Sequence, residues 1–278
     1  MFTNRELVIA TMHHKEQVIQ PILESNLGCI CVVPSNFDTD NLGTFSGEVN
    51  REKDPISTAR KKCELAMDLT NAPIAIASEG SFGPHPSYFF ASADDEFLVF
   101  IDKKNELEIV VRELSLETNF NAAYILEEKD LLAFALTAKF PSHGLIVRKS
   151  PDEVIDIYKG ITDWNELLSK FTLLKTEYGK VYVETDMRAM YNPTRMEVIR
   201  KLTLKLVDKI KSTCPNCATP GFAVTEVKEG LPCSYCQSPT RSVKSHIYCC
   251  LKCDFTEVKQ FPNGKQFEEP MYCDNCNP

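Results

Sequence analysis

The chain has 278 residues, a formal net charge of −8 at pH 7, and 43% hydrophobic and 25% charged residues. This length suits one large domain with an appendage or two domains, and the composition is that of an ordinary globular protein. The net negative charge argues against a molecule whose overall surface binds nucleic acid. The apolar runs are far shorter than the roughly 18 residues of a membrane-spanning helix.

The N-terminus predicts the compartment. It reads MFTNRELVIATMHHKE and lacks the basic segment followed by an apolar segment that a secretory signal requires. We therefore expect a cytoplasmic protein with no membrane partner.

Residues 1–212 alternate between patterns typical of strands and of helices. The predicted strands are Glu6–Thr11, Gly28–Pro34, Ile74–Ala77, Asp95–Asp102, Leu107–Arg112, Gly144–Arg148 and Val181–Thr185. The predicted helices are His13–Ser25, Pro55–Thr70, Leu126–Lys139, Ser150–Tyr158, Asp163–Tyr178 and Pro193–Ser212. This alternation predicts an α/β fold, a three-layer mixed sheet with helices on both faces. Residues 213–278 are predicted to form a separate, small zinc-ribbon domain.

Two features surround the second predicted helix. Residues Ser35–Asp54 are polar and are predicted to be a loop, and loops this long in compact domains usually have a function. The helix that follows is expected to begin at Pro55 with Asp54 as its N-cap, because proline is favoured at the first helical position.

The stretch Asn71–Pro86, NAPIAIASEGSFGPHP, contains the most informative predicted strand. Its apolar run is expected to end at Ser78-Glu79-Gly80, because the glycines and prolines that follow do not suit a central strand. Glu79 would then lie at the carboxyl end of a core strand, which is where open α/β sheets bind ligands. The alternative is that Glu79 caps a helix or pairs with a lysine.

Four Cys-x2-Cys pairs follow the last predicted helix. Fifteen residues separate the first two pairs and nineteen separate the last two, and both spacings are typical of zinc ribbons. We predict two structural zinc ions, since a site with four cysteine ligands leaves no open coordination position. The predicted ligands are Cys214, Cys217, Cys233, Cys236, Cys250, Cys253, Cys273 and Cys276.

The pairing of these cysteines has alternatives. Sequential pairing, first pair with second and third with fourth, is the simplest, and crossed pairing is the alternative. Cys249 could replace Cys250, although the Cys-x2-Cys spacing favours Cys250, and His246 is another substitute ligand.

The charge of the cysteine-rich segment bears on its partner. Residues 214–278 contain six Lys/Arg and seven Asp/Glu, and each four-cysteine zinc site would add about −2. Such a surface is unsuited to nucleic-acid backbones, so we expect this segment to dock on a partner protein or on its own α/β domain.

The chain resembles an uncharacterised bacterial family with cysteine knuckles at the C-terminus. The stretches that carry this resemblance are ATMHHKE, SEGSFGPHP, FPSHGLIVRK, VETDMRAMYNPTRM and CDNCNP. They span nearly the whole chain, and the resemblance implies no activity.

Four short motifs in residues 1–212 lie at Thr11–Lys15, Ser46–Val49, Ala77–Ser81 and Thr194-Arg195. In this order they resemble the motifs of the inosine/xanthosine triphosphatase (ITPase-like) superfamily of nucleotide pyrophosphatases, although Met12 stands where the superfamily has asparagine. The resemblance implies an ITPase-like fold, a nucleotide or other phosphorylated small molecule as substrate, and a homodimer.

The predicted catalytic residues are Glu79, Lys15 and Asp186. Hydrolysis of a phosphoanhydride requires a divalent cation on carboxylates and cations on phosphate oxygens. Glu79 is our first choice as a Mg²⁺ ligand, with Glu48 and Asp186 as second choices. Lys15 lies where a strand turns into a helix, a position that attracts phosphate, although it could also be a solvated lysine.

Further residues are predicted to bind the substrate. Arg188 and Arg195 could each clamp phosphate through two donors, although Arg188 could instead pair with Asp186. The histidines at predicted loop positions, including His13, are candidates for a general base or a base-stacking group. The predicted substrate-binding residues are Thr11, His14, Ser46, Gly80, His85, His143, Arg188, Asn192, Thr194 and Arg195.

One acidic run has two interpretations. Asp94-Asp95-Glu96 lies at the entry of the predicted strand Asp95–Asp102 and is interpreted as its solvated start, with metal binding as the alternative.

The sequence therefore predicts a Mg²⁺-dependent phosphohydrolase or pyrophosphatase that acts on a nucleotide and carries a structural zinc ribbon. The alternative is a non-enzymatic domain that senses a nucleotide or anion, with a zinc ribbon that docks a partner protein. Binding to nucleic acid is disfavoured by the charge.

Overall fold

The computed structural model describes residues 1–35, 37 and 54–278. These residues divide into two compact units, the first unit Met1–Leu206 and the second unit Val207–Pro278. Ser46 and Glu48, two of the predicted site residues, lie outside the described residues. In the described ranges, no helix is both long enough and apolar enough to cross a membrane.

The first unit contains a five-stranded mixed sheet. In space its strands follow the order β2-β1-β3-β4-β5. β1 is parallel to β2 and β3, whereas β4 is antiparallel to both β3 and β5. The strands are β1 (Glu6–Ile9), β2 (Ile30–Val32), β3 (Ile74–Pro84), β4 (Ser92–Asp102) and β5 (Leu107–Ser115), and the helices between them are α1 (Glu16–Leu27) and α2 (Pro55–Thr70).

Helix α2 begins where the sequence predicts. The Asp54 carboxylate accepts hydrogen bonds from the amides of Ile56 and Ser57 at 3.1 and 3.0 Å, and Pro55 occupies the first helical position. The helix buries one apolar side against the sheet. Its buried residues Ala59, Cys63, Ala66 and Met67 cluster with Val8, Ala75, Ala77 and Val99.

The first unit also contains a four-stranded antiparallel sheet in the order β6-β9-β7-β8. Helices α3 and α4 share a buried apolar core with this sheet, and α5 follows its last strand. The division between the units falls within α5. The elements are β6 (Ala122–Ile125), α3 (Glu128–Thr137), β7 (Leu145–Arg148), β8 (Ile157–Ile161), α4 (Trp164–Tyr178), β9 (Val181–Thr185) and α5 (Pro193–Lys211).

The presence of separate sheets differs from the single mixed sheet that the sequence predicts. After β5 ends, β6 pairs with β9 and not with its predecessor in the chain. Such pairing joins distant segments, and local periodicity carries no information about it. The coarser prediction of a mixed α/β protein is confirmed.

The predicted helix Ser150–Tyr158 is wrong. Its last residues belong to β8, and the preceding residues form a turn in which the Glu153 carboxylate accepts a hydrogen bond from the Ile155 amide at 2.8 Å.

The predicted end of β3 is also wrong. The strand does not stop at Glu79 but continues to Pro84, paired with β4 along its whole length. Beyond Ile76, β3 is paired with β4 but no longer with β1. A proline at such a position removes no hydrogen bond to a second strand, so Pro84 is tolerated there.

The second unit contains a three-stranded antiparallel sheet. Its strands are β10 (Ala223–Glu229), β11 (Val243–Cys249) and β12 (Thr256–Gln260), in that spatial order. The cysteine pairs lie just outside the ends of these strands.

Candidate functional site

The site of the first unit is built where β1 stops and β3 continues. The Ala10 amide donates to the Ile76 carbonyl at 2.8 Å, and the chain then turns through Thr11–Lys15 into α1. This turn lies against β3, because the Lys15 ammonium donates to the Ser78 hydroxyl at 2.8 Å and to the Ser78 carbonyl at 3.3 Å.

Lys15 is a buried cation. No carboxylate in the described part of the chain forms an ion pair with it. Burial, followed by the positive charge of Arg195, lowers the pKa of Lys15 to about 7, although Glu96 and Glu79 oppose this shift. A buried lysine with such a pKa, next to a helix N-terminus, is a candidate for binding an anion.

Glu79 is buried and forms an ion pair with Lys62 of α2. Side chains alternate along a strand, so Glu79 projects from the opposite face of β3 to Ser78 and Gly80. The alternative that Glu79 pairs with a lysine is therefore confirmed, and its predicted location at a strand end is wrong.

Arg195 links α5 to β4. Its Nε donates to Glu96 Oε1 at 2.6 Å and its Nη1 donates to the Met187 carbonyl at 2.6 Å, in a side chain that is only 1% exposed. Gly80 makes room for this pair. A Cβ at Gly80 would lie 2.5 Å from Glu96 Cδ and 2.7 Å from Arg195 Nη2. These contacts give Arg195 and Gly80 a structural role in addition to any contact with a substrate.

Asp186 and Arg188 pair with each other, as the sequence alternative proposes. Arg188 Nη2 lies 2.6 Å from Asp186 Oδ2, and the Gly160 amide donates to the same oxygen at 3.0 Å. Asp186 is fully buried, whereas the Arg188 side chain is partly exposed and lies over the Tyr191 ring at 4.6 Å.

Three predicted substrate-binding residues make contacts at the N-terminus of α5. His143 Nε2 accepts a hydrogen bond from the Thr194 amide at 3.2 Å and lies 2.9 Å from the Thr194 hydroxyl oxygen. The Asn192 side-chain oxygen accepts from the Arg195 amide at 3.0 Å. Helix termini need such partners, so His143, Asn192 and Thr194 have local structural roles.

His85 lies in the turn between β3 and β4. Its Nδ1 accepts hydrogen bonds from the Ser87 and Tyr88 amides, each at 3.1 Å, and its ring stacks on Tyr88. The described contacts of His85 are thus confined to this turn.

His13 shows that charges from distant segments converge. Burial and the positive charges of Lys15, Arg195, Arg188 and Lys62 lower the pKa of His13 to about 3, so its imidazole is neutral near pH 7. The structure therefore brings together Lys15, Arg188 and Arg195, three of the predicted cations. We call the charged cluster His13, Lys15, Lys62, Glu79, Asp94, Glu96, Arg188 and Arg195.

Asp94 and Glu96 contradict the interpretation of Asp94-Asp95-Glu96 as a solvated start of a strand. They are 1% and 0% exposed, because they share the buried face of β4 with Leu98. Asp95 projects from the opposite face and forms an ion pair with Arg112 at 2.7 Å. Asp94, Glu96 and Leu98 occupy alternate positions of the strand, and this period of two could have predicted from the sequence that both acids are buried.

Two hollows flank the Thr11–Lys15 turn and share His14 as a lining residue. One has a volume of about 410 Å³ and is also lined by Thr11, Met12 and Phe37, and the other, of about 330 Å³, extends along α1 to Met196. Among the described residues that line these two hollows, Glu79 and Arg195 do not appear. The hollows therefore open beside the charged cluster.

The second unit brings the predicted cysteine ligands into two groups of four. The ligand sulfurs of each group lie within 4.8 Å of one another. A tetrahedral Zn²⁺ with Zn–S distances of about 2.3 Å would place its sulfurs roughly 3.8 Å apart. The donor set and spacing therefore fit zinc, and either group could hold an ion. The groups are Cys214, Cys217, Cys250 and Cys253, and Cys233, Cys236, Cys273 and Cys276.

Individual sulfur distances agree with this fit. The Sγ atoms of Cys214 and Cys253 are 3.7 Å apart, and those of Cys233 and Cys276 are 3.8 Å apart. The Lys252 amide also points to Cys250 Sγ at 3.3 Å. Amide donors of this kind stabilise thiolates, the form of cysteine that binds metal.

The structure pairs the first Cys-x2-Cys with the third and the second with the fourth, so the crossed alternative is correct. The reason is the antiparallel sheet. The first pair precedes β10 and the third connects β11 to β12, which places both at one end of the sheet. The second follows β10 and the fourth follows β12, at the other end. A seven-residue strand separates these ends by roughly 23 Å.

Cys249 and His246 belong to β11 and are absent from both groups of four in the described chain. The Cys-x2-Cys spacing therefore identified Cys250 correctly.

These features define an α/β protein with a buried charged cluster and a C-terminal sheet that carries two four-cysteine sites. The family model described as Domain of unknown function (DUF6671) matches residues 62–278, and the chain belongs to this family. Comparison with curated proteins gives no match. The expectation of an uncharacterised family with C-terminal cysteine pairs is thus confirmed.

Proposed function

We propose that the protein is a Mg²⁺-dependent phosphohydrolase or pyrophosphatase that acts on a nucleotide, with an ITPase-like first unit. The observation that supports this proposal is the convergence of Lys15, Lys62, Arg188 and Arg195 on His13. Hydrolysis of a phosphoanhydride needs cations around the phosphate oxygens, and these four side chains are close enough to His13 to act on it together.

In this proposal Lys15 binds a phosphate. Its ammonium has Ser78 as its described partner, and it lies at the start of α1, whose N-cap position lacks a side-chain cap. An anion at this position would gain both the lysine charge and the helix dipole. The partly exposed Arg188 would contact a second phosphate.

Glu79 would orient the attacking water. Glu79 forms an ion pair with Lys62, and a carboxylate in such a pair can also accept a hydrogen bond from water. Magnesium would neutralise phosphate charge when bound. Glu79 and Asp186 each contact a cationic side chain, so neither fits well as its ligand without displacing Lys62 or Arg188.

The proposal is tested by measuring phosphate and pyrophosphate release from a panel of nucleoside triphosphates with Mg²⁺. We expect turnover by the wild type and a loss of at least about 100-fold in Glu79→Gln, which is the lower end of the effect of one positioned acid–base group. Glu108→Gln is the control, because Glu108 is a half-exposed acid that pairs with Arg60. An inactive wild type, or equal activities of the two variants, contradicts the proposal.

The second candidate function is a non-enzymatic sensor of a nucleotide or anion. The observation that favours it is the pairing of Lys62, Arg188 and Arg195 with acids, which suits a rigid binding site. Tight nucleotide binding without turnover in either Glu79→Gln or the wild type would support this function.

We further propose that zinc fills both four-cysteine groups and that the second unit docks a partner protein and not a nucleic acid. The supporting observations are the sulfur geometry and the acidic balance of residues 214–278. A homodimer is part of the ITPase-like proposal, and size-exclusion chromatography with light scattering tests it.

A further inference from the structure

The carboxylates of Asp94 and Glu96 are the most poorly satisfied acids of the charged cluster. Both Asp94 oxygens and Glu96 Oε2 are buried and have no hydrogen-bond partner among the described residues. The fourth oxygen, Glu96 Oε1, accepts the hydrogen bond from Arg195. Burying a carboxylate oxygen without a partner is costly, so three such oxygens on one face of β4 need an explanation.

We infer that Asp94 and Glu96 bind one divalent cation that prefers oxygen ligands, such as Mg²⁺ or Mn²⁺. The two residues lie two positions apart on β4, so both carboxylates project from the same face of the sheet. A hard cation coordinates several oxygens at once, whereas a single shared proton would satisfy at most two of the three.

The surrounding charges are consistent with one added cation. The charged groups that act on Asp94 are Glu96, Arg195, Lys15 and Asp95. Arg195 is engaged by Glu96 Oε1 and the Met187 carbonyl, and Lys15 by Ser78. The described contacts therefore pair Asp94 with neither cation.

The other acids of the site are less suited to a cation. Glu79 contacts Lys62, and Asp186 contacts Arg188, so a metal ion would compete with a lysine or an arginine for either carboxylate. The inference deepens the proposed function and rests on it for the ion's role, since this ion would supply the magnesium of the reaction. Binding itself is measurable without turnover.

The test uses the full chain loaded with zinc and titrated with Mn²⁺, with free Mn²⁺ followed by electron paramagnetic resonance. We expect the wild type to bind about one Mn²⁺ that excess Mg²⁺ displaces. Asp94→Asn should weaken binding at least tenfold. Asp95→Asn is the matched control, because Asp95 is adjacent in sequence, projects from the other face and pairs with Arg112. It should bind as the wild type does.

Two results overturn the inference: a wild type that binds no Mn²⁺ under these conditions, and an Asp94→Asn variant that binds as tightly as Asp95→Asn. If Asp94→Asn does not fold, the melting temperature of the wild type decides, since millimolar Mn²⁺ must raise it if the site exists. Mn²⁺ binding that depends on Asp94 supports the inference even in a protein without hydrolase activity. Hydrolysis by a protein that binds Mn²⁺ independently of Asp94 overturns it and leaves the proposed function intact.

Discussion

The sites of the two units both consist of side chains that are costly to bury, but the arrangement of these side chains along the sequence differs. In the second unit, the ligands come as four local pairs, and each pair is complete within four residues of chain. In the first unit, the charged residues come from several elements, and two of the ion pairs join residues that lie far apart in sequence, Lys62 with Glu79 and Glu96 with Arg195. A site of local pairs can be recognised from spacing, whereas a site of single residues cannot.

The largest expected effect is on the zinc sites. Replacing two cysteines of one group, Cys214→Ser with Cys250→Ser, should leave about one zinc per chain, as measured by metal analysis. Replacing one cysteine in each group, Cys214→Ser with Cys233→Ser, should remove both ions and unfold the second unit. Structural zinc contributes about 10–16 kcal/mol to the folding of such modules.

The control for the zinc experiment is Cys249→Ser, which should keep about two zinc per chain because Cys249 is in neither group. Sequential pairing predicts the reverse results for the two double variants, so that outcome would refute the crossed arrangement.

The next largest effect concerns the buried ion pair of the first unit. Arg195→Ala should destabilise the protein by about 3–5 kcal/mol, because Glu96 would be left as a buried charge without its partner. Urea unfolding measures the change. Arg200→Ala is the control, since Arg200 pairs with Glu197 on the exposed side of the same helix and should cost less than about 1 kcal/mol. Equal losses of stability in Arg195→Ala and Arg200→Ala would show that the buried Arg195–Glu96 pair stabilises the fold no more than a surface ion pair does.

A smaller effect is expected at Gly80. Gly80→Ala should destabilise by about 1–3 kcal/mol, because the new methyl group would overlap the Glu96 carboxylate and the Arg195 guanidinium. Gly83→Ala, in the same strand, should be nearly neutral, since a Cβ there meets nothing within 4 Å. Thermal unfolding of both variants distinguishes them, and a neutral Gly80→Ala would mean that the pair can move aside.

The smallest effect is a pH dependence at the start of α5. Burial, assisted by the charge of Lys139, lowers the pKa of His143 below its ordinary value of 6.5. The unfolded state therefore binds the proton more readily, and the stability that neutral His143 provides is present above pH 6.5 and is lost as the pH falls through its folded pKa.

His143→Gln should accordingly reduce the loss of stability between pH 7 and pH 5, by up to about 1 kcal/mol. Urea unfolding of the wild type and the variant at both pH values measures this difference. An unchanged pH dependence would show that His143 titrates normally in the folded protein.

Most elements of the first unit follow from local pattern. Asp54 and Pro55 predicted the start of α2, and the apolar alternation of Val181–Thr185 predicted β9 with its observed bounds. The failures share one cause. β3 continues past Glu79 because it pairs with β4 along its full length. β8 forms where a helix was predicted because it pairs with β7. Non-local pairing overrides local propensity in both cases.

The predicted site shows the same division. The sequence predicted Lys15, Arg188 and Arg195 as phosphate-binding cations, each from its own local pattern, and the fold brings them together. It did not indicate that Lys62 pairs with Glu79 or that Glu96 pairs with Arg195, since nothing in the local chain relates these residues.

By itself the sequence determined the eight cysteine ligands, because a metal-binding pair is complete within four residues and its spacing is independent of the rest of the chain. Only the tertiary structure decided how those pairs combine and which acids face which cations. The physical reason is that these contacts depend on strand direction and register, and a register is fixed by distant partners.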